Sequence, residues 1–352
     1  YIGRSRHLRQ RVRQYFVGSE PRTRMAEMVG IAESVDAIAC AHPLEAEVRE
    51  LRLIAEHKPR YNRRSRFPER VSWVKLTNEP YPRLSLVKRI SDDGATYLGP
   101  FGSPRTAQAA MAAIHEAVPL RQCSQRISPR HPTAACVLAG MGRCAAPCEG
   151  GVSREDYAPT ADAARALLVG DARPLLDAAR RRMASLSAQE RYEEAAAHRD
   201  RATTFVRTAA RMQRLVALAA CAELVAAKPG FAGGWDLIVV RHGRLAGAST
   251  MPGGVRVAQP FVDALVATAE RVTPGIGPIP AASAEEMDRI LLWLAEPGAR
   301  LVRLDGIWCS PAGGAASLHE WLTVAEVSRE TARPLDDHRG LRPIHRPARA
   351  VG

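Results

Sequence analysis

Four cysteines fall within 26 residues, spaced Cys123-x12-Cys136-x7-Cys144-x3-Cys148, in a stretch rich in proline and glycine that carries no apolar periodicity. A segment without an apolar face cannot be ordered by core packing, so a bound metal is its natural organiser. Four thiolates suit zinc or an iron–sulfur cluster, because each needs four soft ligands meeting at one point, and the paired Cys-x2-Cys knuckles frequent in zinc ribbons are missing here. The total of seven cysteines is odd, which argues against a secreted disulfide framework. Cys40, Cys221 and Cys309 stand alone and are expected to be packing residues.

The 352-residue chain has 50 basic against 37 acidic side chains, a net charge of +13 that points to a polyanionic partner. The signal is weakened by bias, since only Lys58, Lys75, Lys88 and Lys228 are lysine and the rest of the basic residues are arginine in an alanine-rich chain. Apolar residues at 46% and charged residues at 25% exclude collagen-like and wholly disordered chains and leave room for a packed core. No apolar run approaches the roughly 20 residues of a membrane helix. The expectation is a soluble cytoplasmic protein with no membrane partner.

The spacing of Leu8, Val12, Tyr15 and Phe16 predicts a short helix clad in arginine. Leu44, Val48, Leu51 and Ala55 predict a second helix, from Leu44 to His57, that stops before Pro59. Short apolar runs at Val71–Leu76, Leu84–Val87 and Tyr97–Leu98 read as strands, followed by a helix over Thr106–Val118. Residues 153–227 read as two or three antiparallel helices. Trp235–Val240 and Arg244–Thr250 read as strands around a turn at His242 and Gly243, and Glu285–Leu294 as a helix. The arginine- and proline-containing tail after Arg329 is expected to be disordered.

The opening Tyr1-Ile2-Gly3-Arg4-Ser5, with the basic helix Leu8–Phe16 behind it, resembles the second half of the GIY-YIG nuclease signature. Glu45–Ile54, Lys58-Pro59-Arg60-Tyr61-Asn62, Tyr97-Leu98-Gly99-Pro100-Phe101, Arg121-Gln122-Cys123 and Gly142–Cys148 resemble, in order, blocks of the UvrC family of excinuclease proteins, over roughly residues 1–215. The residues carry their own logic. Phosphodiester hydrolysis needs charge neutralisation, a positioned water and a group to take its proton. Arg11 and Tyr15 are i and i+4 on one helical face, and a single carboxylate such as Glu50 holds Mg²⁺ when water and substrate fill the remaining positions.

The resemblance implies Tyr1 as the phenol receiving the water's proton, Arg11 and Tyr15 as contacts to the scissile phosphate, Glu50 as the ligand of Mg²⁺ or Mn²⁺, and Asn62 as a nearby polar contact. Arg4 stands where the family commonly has lysine. It can stabilise charge but cannot act as a base. The family's first motif would precede residue 1, so the chain is expected to be a fragment whose site is incomplete as it stands. A fusion to an upstream DEDD exonuclease would account for the abrupt start. The resemblance also implies a [4Fe-4S] cluster on Cys123, Cys136, Cys144 and Cys148, with Zn²⁺ the alternative.

Arg191–Asp200 resembles the UVR motif, the helical hairpin by which UvrC proteins dock on the UvrB helicase. Tyr192 and the small Ala195 and Ala196 allow close approach of a second helix, while Glu193, Glu194, Arg199 and Asp200 supply partner-specific charge. Lys58, Arg60, Arg63, Arg64, Arg66 and Arg70, interleaved with Tyr61 and Phe67, form a candidate phosphate track, to which Arg9 and Arg13 of the first helix are added. No carboxylate triad with histidine frames a second, RNase H-like nuclease, and Asp305, Asp336, Asp337 and His338 are too scattered to form one.

The fold class expected is α+β. Residues 1–62 form a GIY-YIG α/β domain lacking its first strand, 63–122 an α+β linker region, and 123–150 the cysteine cluster. Residues 151–227 form a helical region with the UVR motif, 228–328 a small α+β domain of unknown function, and 329–352 a disordered basic tail. The function expected is a DNA endonuclease of nucleotide excision repair, associated with the SOS response, that cuts on the 3′ side of a lesion with a UvrB-type helicase partner on damaged duplex. The competing readings are a non-cutting scaffold that binds the same partners and a homing-type nuclease.

Overall fold

The arginine-clad stretch forms helix α1 (Leu8–Tyr15) in the computed structural model, which describes residues 1–16, 23–128, 130–231, 233–276, 281–309 and 313–331. The apolar stripe of α1 does not find a core: none of its residues is buried, and Leu8 and the following Phe16 are exposed. A helix the sequence pattern did not mark, α2 (Thr23–Gly30), comes next. In α3 (Pro43–His57) proline occupies the first turn, where its missing N–H costs nothing. The Glu45 carboxylate accepts the Ala41 N–H at 2.6 Å, and Lys58 closes the helix in the left-handed region (φ 47°) ahead of Pro59. Among the described residues before Ser72 there is no strand, so the expected α/β domain is here helices and extended chain. The backbone of Ile2 is paired with the Asn62 side chain, which donates to and accepts from it.

The middle of the chain forms an antiparallel sheet of order β2-β1-β3 from β1 (Ser72–Leu76), β2 (Leu84–Val87) and β3 (Thr96–Phe101). Gly99 is required in β3, because a Cβ there would lie 2.7 Å from the Trp73 ring. Helix α4 (Pro104–Ala117) starts at Ser103, whose hydroxyl accepts the Thr106 N–H. The cysteine segment contains only α5 (Val137–Gly140) and a 3-10 turn at Pro147–Glu149. Then come α6 (Arg154–Val169), α7 (Arg173–Ser187) and α8 (Tyr192–Ala219). Val74, Leu98, Ile114, Tyr157, Leu176 and Phe205 belong to one core, so the segments expected separately at 63–122 and 151–227 are a single body, with the cysteine segment on its side.

The third part corrects the expected helix boundary. Residues Glu223–Pro229 are not helical but form β4, a central strand of a second antiparallel sheet with β5 (Trp235–Arg241), β6 (Arg244–Met251) and β7 (Arg300–Asp305), in the order β6-β5-β4-β7. Leu224 and Ala226 face one core and Val225 and Ala227 the other. A strand buried on both faces is apolar without alternation, which erases the period-two signal. Helix α9 (Gln259–Thr268) supplies Val262 and Leu265 to one face, and α10 (Ala284–Ala295) supplies Met287, Ile290 and Leu291 to the other.

That second face is shared. Leu44 and Val48 of α3, and Leu215 and Leu218 at the end of α8, lie in the same core as α10. Helix α8, 28 residues or about 42 Å at 1.5 Å per residue, thus begins in the middle body and ends under the second sheet. A 3-10 turn at Ala315–Leu318 and α11 (His319–Thr331) return to α8, where Trp321 and Leu322 pack on the middle core. Helix α11 continues through Thr331, so residues 329–331 of the expected tail are helical. The rest of that tail, with Asp336, Asp337 and His338, lies outside the described residues. No helix among the described residues is long and apolar enough to cross a membrane.

Candidate functional site

Extended chain at Tyr1–Ser5 is fixed by Asn62, a buried residue just past α3. Its Oδ1 accepts the Ile2 N–H at 2.9 Å and its Nδ2 donates to the Ile2 carbonyl at 2.8 Å, so one side chain pairs with both backbone groups as a neighbouring strand would. Gly3 completes the arrangement. The Tyr1 ring folds back over it, and a Cβ at position 3 would lie 3.0 Å from Tyr1 Cε1. The Tyr-Ile-Gly order therefore has a steric meaning: the glycine clears the space that the phenol occupies.

Tyr1, Glu50 and Asn62 line one cleft of about 660 Å³, together with Arg24 of α2, Arg63, and Arg289 of α10. Tyr15 is not among the lining residues but meets Tyr1 edge to face, with ring centroids 5.9 Å apart, and the Arg11 guanidinium lies 5.0 Å from the Tyr15 ring centroid. Burial, reinforced by the Tyr1 phenol, pushes the Tyr15 hydroxyl up to about 12, so it is a neutral hydrogen-bond donor at physiological pH. Arg4 turns toward α3, where it bonds Glu47 at 2.5 Å and approaches Glu50 at 3.3 Å. Burial pushes the Glu50 carboxyl above its ordinary value and Glu47 adds to the rise, while Arg4 and Arg289 oppose it.

Of the expected phosphate track, Lys58, Arg60, Arg63 and Arg64 are exposed, as are Arg9 and Arg13 on α1. Arg60 is tied to Glu27 of α2 at 2.9 Å. Arg66 is half-buried beside Phe67, whose ring also has Lys58 and Arg70 against it. Arg24 and Arg289 were missed from sequence. Arg24 sits on an unexpected helix, and Arg289 reaches the cleft from more than 200 residues away, which no local pattern announces.

The start of the cysteine segment, at Cys123 and Gln125, is held by Arg121, a buried guanidinium that the sequence blocks contained without a role. It donates to the carbonyls of Tyr81, Cys123 and Gln125 and pairs with Glu79 at 2.8 Å. Burial pushes the Cys144 thiol up, and Cys123, Cys136 and Cys148 are near enough to add to the rise. Among the described residues, however, no three His, Cys, Asp or Glu side chains are disposed to hold a metal ion, so the expected tetrathiolate shell is not closed. Cys221 is buried as expected, whereas Cys309 is exposed and corrects the expectation of a packing residue.

Helices α7 and α8 form an antiparallel hairpin around a turn in which Glu190 takes φ 59°. Tyr192, Glu193 and Glu194 are exposed at its tip, with Arg191 paired to Glu194. Ala195 is buried and unavailable to a partner, and Ala196 is half-buried. The Arg199 side chain is 12% exposed and paired with Asp200 at 3.0 Å.

Residues 1–63 match the family model of the UvrC-like GIY-YIG domain, and residues 71–167 match that of the UvrC/Cho excinuclease middle domain. The chain belongs to the UvrC family. It is 41% identical over 333 residues to a Mycobacterium tuberculosis protein named as a putative bifunctional exonuclease/endonuclease, covering 94% of this chain and 51% of that protein. It is 33% identical over 256 residues to the UvrABC system protein C of Geobacter metallireducens, covering 70% and 41%, and 35% identical over 213 residues to that of Nitratidesulfovibrio vulgaris, covering 60% and 31%. The chain thus spans about half the length, or less, of these relatives. No solved structure matches it.

Proposed function

We propose that this chain is the endonuclease part of a nucleotide excision repair protein, which hydrolyses one phosphodiester of damaged duplex on the 3′ side of a lesion after a UvrB-type helicase has engaged the site. The observation that carries the reading is the shared cleft: the Tyr1 phenol and the Glu50 carboxylate face one opening, and Asn62 anchors the backbone beside the phenol. Arg63, Arg24 and Arg289 around it favour a phosphate.

In this mechanism the Tyr1 oxygen accepts the proton of the attacking water while the phenol's own proton passes to bulk water, to which the side chain is open. Arg11 and the neutral Tyr15 hydroxyl, which sit behind Tyr1 and outside the cleft lining, are assigned to the non-bridging oxygens of the scissile phosphate and would turn toward it when DNA binds. Asn62 and Gly3 position Tyr1 without touching the substrate. Glu50 fits a divalent ion: it is one carboxylate at the cleft wall, partly desolvated and balanced by the half-exposed Arg4, with room in the cleft for water and phosphate oxygens to complete the shell. Mg²⁺ or Mn²⁺ held there would polarise the phosphate and stabilise the leaving oxygen. Arg4, released from Glu50 when the ion binds, would stay on Glu47.

The four thiols Cys123, Cys136, Cys144 and Cys148 have the donor chemistry of a [4Fe-4S] or zinc site, which they would hold only after closing into the shell that the described residues do not form. We assign them a structural role, bracing the segment that Arg121 anchors. The α7–α8 hairpin is assigned as the UVR docking element, with Tyr192, Glu193 and Glu194 at its exposed tip.

The test is incision of a lesion-bearing duplex with Mg²⁺ and the helicase partner. Glu50→Gln should abolish cutting and leave DNA binding within about twofold. Cutting that survives Glu50→Gln, or a protein restored at its N-terminus with the family's preceding motif that binds lesion and partner without cutting, overturns the reading, and the second result establishes a scaffold.

A further inference from the structure

A second cleft, of about 750 Å³, opens beside the first and shares Leu51, Arg64, Ser65 and Arg289 with it. The two are one continuous groove. Its first half lies on the nuclease residues and its second half is walled by the end of α8 and by α10, the latter an element of the region whose purpose the sequence left open. Four arginines face this half: Arg64 from the loop after α3, Arg211 and Arg214 from α8, and Arg289 from α10.

The acidic groups there decide its sign. Asp288 is already neutralised by Arg211, which pairs with it at 2.6 Å and also donates to the Pro100 carbonyl, joining α8, α10 and β3. Glu285 alone then opposes Arg64, Arg214 and Arg289. Arg214 and Arg64 make no ion pair among the described residues, and Arg289 reaches Glu47 only at 3.8 Å. Guanidinium groups left unpaired along a groove, on side chains that carry no packing load, are the arrangement that binds a run of phosphates.

The wall is held rigidly. Arg52, two residues beyond Glu50 and on the opposite side of α3, donates to Glu286 at 2.7 and 3.0 Å and to the Leu245 carbonyl at 2.8 Å. His42, just ahead of α3, donates from Nε2 to the Leu237 carbonyl of β5 at 3.1 Å and stacks its ring on Trp293 of α10. Leu44 and Val48 bury against the same core as α10. Arg289 is thereby fixed relative to Glu50 by a packed interface, not by a loop.

We propose that Arg214 and Arg289, with Arg64, form a second phosphate-binding stretch that holds the DNA backbone leading away from the scissile bond. The region after α8 then has a direct role, as one wall of the DNA groove. This inference rests on the nuclease reading for the location of the scissile phosphate.

The experiment is equilibrium binding of the whole protein to a nicked duplex across a salt series, for native protein and for Arg214→Gln, Arg289→Gln, the double variant, Arg214→Lys and the distant exposed Arg154→Gln. Each glutamine substitution should lower the slope of log affinity against log salt by about 1, and the pair by about 2, with affinity at moderate salt falling roughly fivefold to tenfold for the pair. Arg214→Lys should keep the native slope, as should Arg154→Gln. Native slopes in both glutamine variants, when native protein binds DNA, overturn the groove and leave the nuclease reading standing. A native protein that binds no duplex at low salt overturns both.

Discussion

Arg52 of α3 and Glu286 of α10 form a two-pronged ion pair at 2.7 and 3.0 Å, in which the carboxylate is only 2% exposed. Glu286 also accepts the Leu245 N–H at 3.0 Å, so the buried charge is fully bonded. Removing one partner of such a pair leaves an uncompensated charge, whereas replacing both is far milder. Arg52→Ala should therefore cost about 3 kcal/mol in urea unfolding, and adding Glu286→Gln, which keeps an acceptor for Leu245, should recover at least half of that loss.

Asn62 offers a different separation of effects. Its two bonds to Ile2 hold the backbone that carries Tyr1, and neither reaches the substrate. Asn62→Ala should lower stability by only about 1–2 kcal/mol but reduce the incision rate roughly a hundredfold, since a misplacement of about 1 Å costs that much. DNA affinity should be unchanged. Single-turnover incision and a binding titration on the same preparation check this, and equal losses in both would assign Asn62 a general structural role.

The acid side of the stability curve is expected to be set in part by His115 of α4. Burial, with the Arg143 guanidinium adding, pulls its pKa down from 6.5 to about 4. The folded protein thus binds the imidazole proton more weakly than the unfolded chain does. The associated stability is fully present above about 6.5 and is lost as pH falls from there toward 4. Thermal unfolding of native protein and His115→Leu from about pH 7.5 to about pH 4.5 should show a native decline on the order of 2 kcal/mol that is flatter in the variant. Parallel curves would assign the decline to other groups.

Much of this architecture was legible because local signals and tertiary needs agreed. The apolar stripe of Leu44, Val48, Leu51 and Ala55 and the stop at Pro59 marked α3 nearly to the residue, and the turn at His242 and Gly243 marked β5 and β6. Failure came where context decided. The run Leu224–Ala227 is apolar on both faces, so it reads equally as helix. The stripe on α1 promised a core that it does not meet. Within the cleft, Tyr1, Glu50 and Asn62 were found from contiguous motifs, while Arg289 and Arg24 were not, because their presence there depends on packing between distant segments. Arg121 was visible as a residue but its burial was not, since nothing adjacent to an arginine predicts four acceptors folded around it.

Tyr192 gives the hairpin a test independent of cutting. It is 64% exposed at the start of α8, beside Glu193 and Glu194, whereas Ala195 directly behind it is buried. A largely exposed aromatic contributes little to folding, yet a large rigid ring is the side chain that most often dominates a docking interface. Tyr192→Ala should change stability by less than about 0.5 kcal/mol in urea unfolding while weakening capture of the helicase partner tenfold or more, a loss of about 1.4 kcal/mol. Glu193→Lys should act on the same binding with a strong salt dependence, because an exposed charge is screened within roughly 10 Å at 0.1 M salt. Surface-based binding measurements at two salt concentrations separate the two effects, and undiminished capture by Tyr192→Ala would move the docking site away from this tip.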